Sequence, residues 1–232
     1  MSENFSLEAR YQDIQDRIQK ALKSRHVNEP ISKLTFIAVS KKQPIDLIEK
    51  LYHLGHRDFG ENYVQELIDK AIELNKRGCT EIRWHFIGHL QTNKVKSLLP
   101  YVYSIHTLDT IKLAKEIAKK WESSNQSGKL SVFIQVNIDE EETKSGIHPQ
   151  DLSQVIQDFS KIPEIDIQGF MCIPDAEQDT RTSFIHLREI SQNHSDMTHG
   201  MLSMGMSDDF ETAIQEGATH VRVGSALFGV RN

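Results

Sequence analysis

Leu130-Ser131-Val132-Phe133-Ile134-Gln135-Val136-Asn137-Ile138 (LSVFIQVNI, residues 130–138) is the stretch that decides the fold. Its apolar side chains continue almost without interruption, instead of alternating strictly with polar ones. That is the pattern of a strand covered on both faces, and such strands belong to parallel sheets. Parallel neighbours need a crossover between them, usually a helix. The same unit recurs on either side of this stretch. Short apolar runs fall at 34–39, 57–59, 83–87, 102–105, 165–173, 201–204 and 220–223, with helical spacing at 44–54, 61–77, 91–98, 109–122, 149–160, 180–194 and 208–216. Helix-start signals support several of these: Pro44 at a first helical position, Asp109 and Asp208 as caps, and Pro149-Gln150-Asp151 opening a turn.

Eight strand candidates, each followed by a helical segment, predict an α/β fold of the (β/α)8 TIM-barrel type. The 232 residues sit near the ~250 typical of that fold. An open doubly wound sheet of six or seven strands is the competing architecture, because 57–59 and 201–204 are short. A further helix is expected at 5–26, where Leu7, Tyr11, Ile14, Ile18 and Leu22 recur three or four apart. It covers either the lower end or the side of the barrel. No internal repeat, low-complexity tract or linker divides residues 1–232, so one domain is expected; only 123–129 reads as a loose polar loop.

Composition narrows the function class. Lysine and arginine total 27 against 33 acidic residues, a formal charge of −6 without a basic block, which argues against nucleic acid as the partner. The acidic run at 139–142 reads as a solvated loop. Glu3, Glu8 and Arg10 interrupt the N-terminus before a secretion signal could form, and no apolar run is long enough to span a bilayer. The two cysteines, Cys79 and Cys172, cannot form a disulfide framework, and Cys172 reads as a small core hydrophobe. A cytoplasmic protein is expected. His85 and His89 are four apart, but Phe86 stands where a zinc-binding His-Glu-x-x-His helix needs glutamate, and no metal site is expected.

In a barrel, chemistry sits where the strands end. The first run leaves through Ala38-Val39-Ser40-Lys41, and strand parity places Lys41 in line with Thr35, Ile37 and Val39, facing the mouth. An amine partly removed from water there loses basicity from about 10.4 and becomes a candidate Schiff-base nucleophile; Lys42 points the other way. The seventh run opens into Leu202-Ser203-Met204-Gly205-Met206-Ser207-Asp208-Asp209. In the eighth, Val221 and Val223 share one face, Arg222 faces into the barrel, Gly224 allows close backbone approach and Ser225 starts a short helical turn. Loops after strands 7 and 8 with a helix start form the usual phosphate seat of this fold. An amine on one wall, a phosphate seat on the other and an arginine between them suit a phosphorylated aldehyde, and pyridoxal 5′-phosphate is the obvious one.

At these residues the sequence resembles the pyridoxal phosphate homeostasis protein family, related to the N-terminal barrel of alanine racemase. The matching motifs are Ala38-Val39-Ser40-Lys41, Phe59-Gly60-Glu61-Asn62-Tyr63-Val64-Gln65-Glu66, Trp84-His85-Phe86-Ile87-Gly88, Leu90-Gln91-Thr92-Asn93-Lys94, Lys144-Ser145-Gly146, residues 202–209 and residues 221–229. The resemblance implies that Lys41 holds pyridoxal 5′-phosphate as an aldimine. It also implies that Ser203, Gly224 and Ser225 hold the phosphate, that Arg222 faces the pyridine nitrogen and that Asn62 lines the mouth. His89, Gln43 and Ser225 depart from residues common in the family. Gln43 removes a possible helper lysine beside Lys41, while Ser225 for threonine keeps the hydroxyl.

Guanidinium has only hydrogen-bond donors, so Arg222 leaves the ring nitrogen unprotonated and the cofactor a weak electron sink. Racemases tolerate this by using two bases, the second coming in the relatives from a C-terminal β-domain that the sequence, ending at Asn232, does not contain. Lys144 is the one stand-in. The expectation is a monomeric protein of vitamin B6 homeostasis that buffers and carries the cofactor for pyridoxal-phosphate-dependent apo-enzymes without a dedicated reaction. A single-domain amino-acid racemase is the alternative, and a barrel enzyme using Lys41 as a plain base on a phosphorylated metabolite is a third.

Overall fold

The structure, a computed structural model, describes residues 6–26, 34–124, 127–141, 144–175 and 178–229. Phe5 of the expected leading helix, Asn125 and Gln126 of the polar loop, Glu142 of the acidic run and the terminal Asn232 lie outside the described residues.

Eight strands close into a barrel in sequence order: β1 (Thr35–Val39), β2 (Asp58–Glu61), β3 (Arg83–Phe86), β4 (Ser104–Leu108), β5 (Leu130–Gln135), β6 (Ile165–Met171), β7 (Met201–Ser203) and β8 (His220–Val223). Every pairing is parallel, and Thr35 through Ala38 of β1 run beside His220 through Val223 of β8 to complete the ring. Closure disposes of the open-sheet alternative: the short β2 and β7 each find partners on both sides, so neither is left as an unpaired edge.

The helices follow the strands: α2 (Ile45–His53), α3 (Val64–Lys76), α4 (Val95–Leu98), α5 (Ile111–Glu122), α6 (Leu152–Ser160), α7 (Thr180–Asn193), α8 (Phe210–Gln215) and the short α9 (Ser225–Phe228). Each longer one buries a stripe against the sheet. In α5 the stripe is Leu113, Ala114, Ile117 and Trp121, three or four residues apart. Burial of one such Leu or Ile contributes about 1.5–3 kcal/mol. Two expected caps move by one residue: Thr110 caps α5 by accepting from Leu113 N–H at 3.2 Å, and Asp209 occupies the cap of α8. Helix α1 (Leu7–Lys23) lies at the side of the barrel, in the outer ring, against α8 and α9. Arg17 grips Glu211 through two hydrogen bonds of 2.8 Å, and Arg10 Nε donates to the Leu227 carbonyl at the end of α9 at 2.6 Å.

The largest departure from the sequence reading is β4. The expected strand stops at Ile105, but the observed one continues through His106, Thr107 and Leu108. His106 and Thr107 look like the end of an apolar run, yet both are buried. His106 belongs to a polar barrel interior, described below, that a reading based on apolarity cannot anticipate.

Between Val132 and Phe133, β5 advances one residue while its partner β6 advances two, from Ile167 to Gly169, so Gln168 is the extra residue of a bulge. The bulge requires Gly169. A Cβ there would stand 1.8 Å from the Met201 carbonyl oxygen of β7. Gly169→Ala is expected to destabilise the fold by about 3 kcal/mol, read as a lower denaturant midpoint with an unchanged m-value; an unshifted midpoint would show that the close approach is not required.

Candidate functional site

Three of the expected residues leave adjacent strands at one end of the barrel. Ala38 of β1 pairs with Phe59 on one side and Val223 on the other, so Lys41, just beyond β1, rises between the ends of β2 and β8. Gly224 packs against Val39: an added Cβ would sit 3.3 Å from the Val39 Cβ. Asn62 follows β2, and β3 approaches it so closely that a Cβ on Gly88 would stand 2.0 Å from the Asn62 carbonyl oxygen. Lys41, Asn62 and Gly224 therefore share one rim, and Lys41 is half-buried there.

A buried ionic cluster holds the turn that presents Lys41. Lys70, on α3, extends Nζ to the Ser40 carbonyl (2.7 Å), Glu61 Oε1 (2.8 Å) and Glu66 Oε1 (2.7 Å). Ser40 donates its hydroxyl to Glu61 at 2.7 Å, and Glu66 accepts from the backbone N–H of Lys42. Lys42 adopts φ +59° and points its side chain to solvent. Burial pushes the Glu61 carboxyl above its ordinary pKa, and the adjacent Lys70 ammonium opposes that shift.

Because β8 is the neighbour of β1, the amine and the expected phosphate seat stand on adjacent walls and not on opposite ones: backbone N–H groups converge at the start of α9, beside the exit of Lys41. Those of Gly224 and Ala226 both donate to Ser207 Oγ, at 3.1 and 3.3 Å. Ser225 is the first residue of this turn. Beside the rim lies a cavity of about 290 Å³ lined by Asn62, Gly88, Thr107, Gln135, Asn137 and Lys144. Asn62 Oδ1 is buried with no hydrogen-bond partner among the described residues. An orphaned amide oxygen and N–H donors already gathered on one oxygen fit a ligand with a polar ring and a phosphate.

Arg222 points into the barrel as strand parity required, and Val221 and Val223 join the apolar layer outside. Its NH1 donates to the Ser203 carbonyl (2.7 Å) and hydroxyl (2.9 Å), and its NH2 donates to the Cys172 carbonyl (2.9 Å). Ser203 is fully buried, and its hydroxyl is shared between Arg222 and His106 Nδ1 at 2.8 Å. The hydroxyl at the α9 N–H groups belongs instead to Ser207.

From Ser203 a chain of hydrogen bonds crosses the barrel. His106 Nε2 meets His85 Nδ1 at 3.0 Å, and His85 Nε2 meets Asp58 Oδ1 at 3.0 Å. Arg83 holds both oxygens of Asp58, at 2.7 and 2.5 Å. The direction of every proton follows. The Asp58 carboxylate can only accept, so neutral His85 donates to it from Nε2 and must accept at Nδ1 from His106; the Ser203 oxygen, which accepts from Arg222, therefore gives its own proton to His106 Nδ1. A neutral His106 then carries its proton on Nε2 and donates to His85 Nδ1, and His85 donates from Nε2 to the Asp58 carboxylate. Burial lowers the pKa of both imidazoles, so both stay neutral. Burial alone would raise Asp58, but the hydrogen bonds from His85 and Arg83 outweigh it and hold the carboxyl well below its ordinary range.

The sequence reading weighs His85 only as a metal ligand and assigns no role to His106, Ser207 or Lys70. A signal existed for His85: it alternates with Trp84 and Phe86, both of which face the apolar layer, so parity turns it inward. Lys70 also carried a spacing signal: three residues after Leu67 and four before Leu74, it lies on the buried stripe of α3, where an ammonium must find partners. Away from the mouth, Glu49, His53 and Cys79 bring ligating atoms within 4.8 Å of one another, with Arg77 already holding Glu49 at 2.9 Å.

The chain makes two expectations that NMR can check. Both His85 and His106 should show the Nε2–H tautomer and should not titrate near 6.5; a protonation step there for either residue would refute the proton order. Folding stability should also fall as pH drops below about 6.5. Unfolded histidines take up a proton there, while burial depresses His85, His106, His56 (to about 4) and His220 (to about 3) in the fold. Each costs ~1.4 kcal/mol per pH unit below the unfolded value, until its folded pKa is reached.

Residues 14–232 match the family described as "Alanine racemase, N-terminal domain". The human protein named "Pyridoxal phosphate homeostasis protein" is 35% identical over 245 residues, covering 100% of this chain and 89% of its own. The protein of the same name from Aquifex aeolicus is 41% identical over 222 residues, covering 93% and 94%. Among solved structures, PipY of Synechococcus elongatus with pyridoxal phosphate bound is 32% identical, with a TM-score of 0.76 over 91% of this chain and 100% of that one. Alanine racemase from Corynebacterium glutamicum, at 16% identity and a TM-score of 0.69, shares the barrel over 97% of this chain and 61% of its own. On these likenesses the chain belongs to the pyridoxal phosphate homeostasis protein family, whose barrel is that of the alanine racemase N-terminal domain.

Proposed function

We propose that the protein binds pyridoxal 5′-phosphate at the barrel mouth and serves to hold and hand over the cofactor, without a dedicated reaction of its own. The observation that carries this reading is the convergence of Lys41, Asn62 and the N–H groups around Gly224 on one rim above Arg222, in a family with a relative solved with pyridoxal phosphate bound. When bound, the cofactor supplies an aldehyde that condenses with amines and a ring that withdraws electrons. Lys41 presents the amine. The N–H groups of residues 224–226 receive the phosphate, with the Ser207 hydroxyl beside them. Ser203 acts one step removed, by fixing Arg222. The Arg222 guanidinium faces the ring nitrogen.

The racemase alternative needs a second base, and Lys144 does line the mouth cavity. It forms an ion pair with Glu141, which raises its pKa and favours the protonated ammonium over the free base. Among the described residues no carboxylate is hydrogen-bonded to Arg222; Ser203 and Cys172 accept its bonds. Both features favour storage over turnover. Among the described residues no helix is long and apolar enough to cross a membrane. Cys79 and Cys172 are buried free thiols, which supports work in a reducing compartment; the proposal takes the protein to be a monomer that passes the cofactor to apo-enzymes.

Incubation with pyridoxal 5′-phosphate followed by borohydride should fix one pyridoxyl group, located on Lys41 by peptide mass spectrometry and missing in Lys41→Ala. Labelling spread over other lysines would overturn the site. Racemisation of an amino acid by the loaded protein, abolished in the same variant, would establish the enzyme instead.

A further inference from the structure

At the opposite end of the barrel, where the strands begin, lies a second and larger cavity of about 410 Å³. That is the size range of small-molecule sites. We propose that this floor cavity is a binding site for a small oxyanion, a metabolite carrying a phosphate or a pair of carboxylates.

Three observations carry the proposal. First, the chain has 33 acidic residues, yet among the described residues lining this cavity none is Asp or Glu, while Arg25, Arg188, His220 and several serines and threonines do line it. Two arginines and several hydroxyls and amides, with no described carboxylate facing them, favour a negative occupant. Second, some of these donors are uncommitted. Ser104 is 1% exposed, and its hydroxyl has no hydrogen-bond partner among the described residues. Arg188 spends NH1 on the Glu216 carbonyl and carboxylate, at 3.1 and 2.6 Å, while its Nε and NH2 have no hydrogen bond among the described residues. His220 engages Thr219 through Nδ1 at 2.9 Å, with no hydrogen bond recorded at Nε2. A buried hydroxyl left unbonded is costly, and a ligand oxygen removes that cost. Third, the carboxylates nearby act from behind the wall and keep it rigid. Glu216 anchors Arg188, and Asp166 takes Gln168 Nε2 at 2.6 Å and His199 Nε2 at 2.9 Å. Gln168 is the bulge residue of β6, so the irregularity in the sheet places an amide in this wall.

The floor is separate from the mouth, so this inference does not depend on the cofactor reading. His85 belongs to the same wall, which puts an occupant next to the hydrogen-bonded chain that ends at Arg222.

Titration of the isotopically labelled protein with inorganic phosphate, and separately with succinate, followed by amide NMR, tests the proposal. Saturating shifts at Ser104, Ser131 and His220 with a dissociation constant of about 1 mM or below are expected; the ion giving the tighter isotherm identifies the phosphate or the carboxylate source. Arg188→Gln should weaken that isotherm at least about tenfold, as expected for loss of a charged hydrogen bond. Glu216 keeps its bond from Arg181 in that variant. Ser104→Ala should weaken it as well. Phosphate shifts at Gly224–Ala226 report the mouth independently: their persistence in both variants shows an intact fold, and their absence from the unsubstituted protein would count against the phosphate cradle alone. Floor shifts that fail to saturate with either ion, or that neither substitution affects, overturn the proposal.

Discussion

A guanidinium sealed inside a barrel sets the terms for its surroundings. Arg222 is 4% exposed, and removing a charge from water is costly unless hydrogen bonds replace the lost solvation. Burial lowers its pKa without depriving it of the proton. Among the described residues no carboxylate is hydrogen-bonded to it. Its bonds go to two strand-end carbonyls and a hydroxyl, Asp209 favours its charged form from nearby, and the His106–His85 chain links its Ser203 partner to Asp58, whose own charge is held by Arg83. The barrel interior is polar along this line because the arginine needs acceptors, each acceptor then needs a proton of its own to place, and the sequence ends at a carboxylate that needs none.

The other half of the site rests on a different device. Lys41 lies one residue before a backbone in the left-handed region, at Lys42, where a side chain other than glycine is uncommon. The Glu61–Lys70–Glu66 cluster holds that turn from beneath, binding the Ser40 carbonyl and the Lys42 N–H together. One buried ammonium, shared between two carboxylates and a carbonyl, thus fixes where the neighbouring amine can reach. Removing Lys70 would leave Glu61 buried and unpaired, which is far more destabilising than loss of an exposed pair.

The barrel was legible because eight apolar runs alternate with helical spacing, and β5, buried on both faces, could be read in only one way. Strand parity carries Lys41 to the rim and turns Arg222 inward beneath it, and Gly224 was legible as the residue that lets the backbone approach closely after β8. The reading failed where apolarity stopped being the inward signal. His106 ended an expected strand that in fact continues, since in this barrel the inward positions of β3, β4 and β8 are histidines and an arginine. Ser203 and Ser207 sit four apart in one glycine-containing loop, and only the hydrogen bonds show that the first serves the arginine and the second the N–H cradle.

That division of labour bears on how a ligand can come and go. The N–H groups of Gly224 and Ala226 already donate to Ser207 Oγ, so they are not left unsatisfied without a ligand. On the proposed reading, a phosphate oxygen entering the cradle exchanges one acceptor for another, and only neutral donors and the serine hydroxyl hold it. No lysine or arginine side chain clamps those N–H groups among the described residues. An enzyme that must keep its cofactor through many turnovers gains from charged clamps, whereas a carrier gains from a seat that closes on itself when emptied. The fixed elements of the site, the Lys70 cluster and the chain from Asp58 to Arg222, preorganise the amine and the guanidinium, while the cradle between them is left to hydrogen bonds that exchange at little cost.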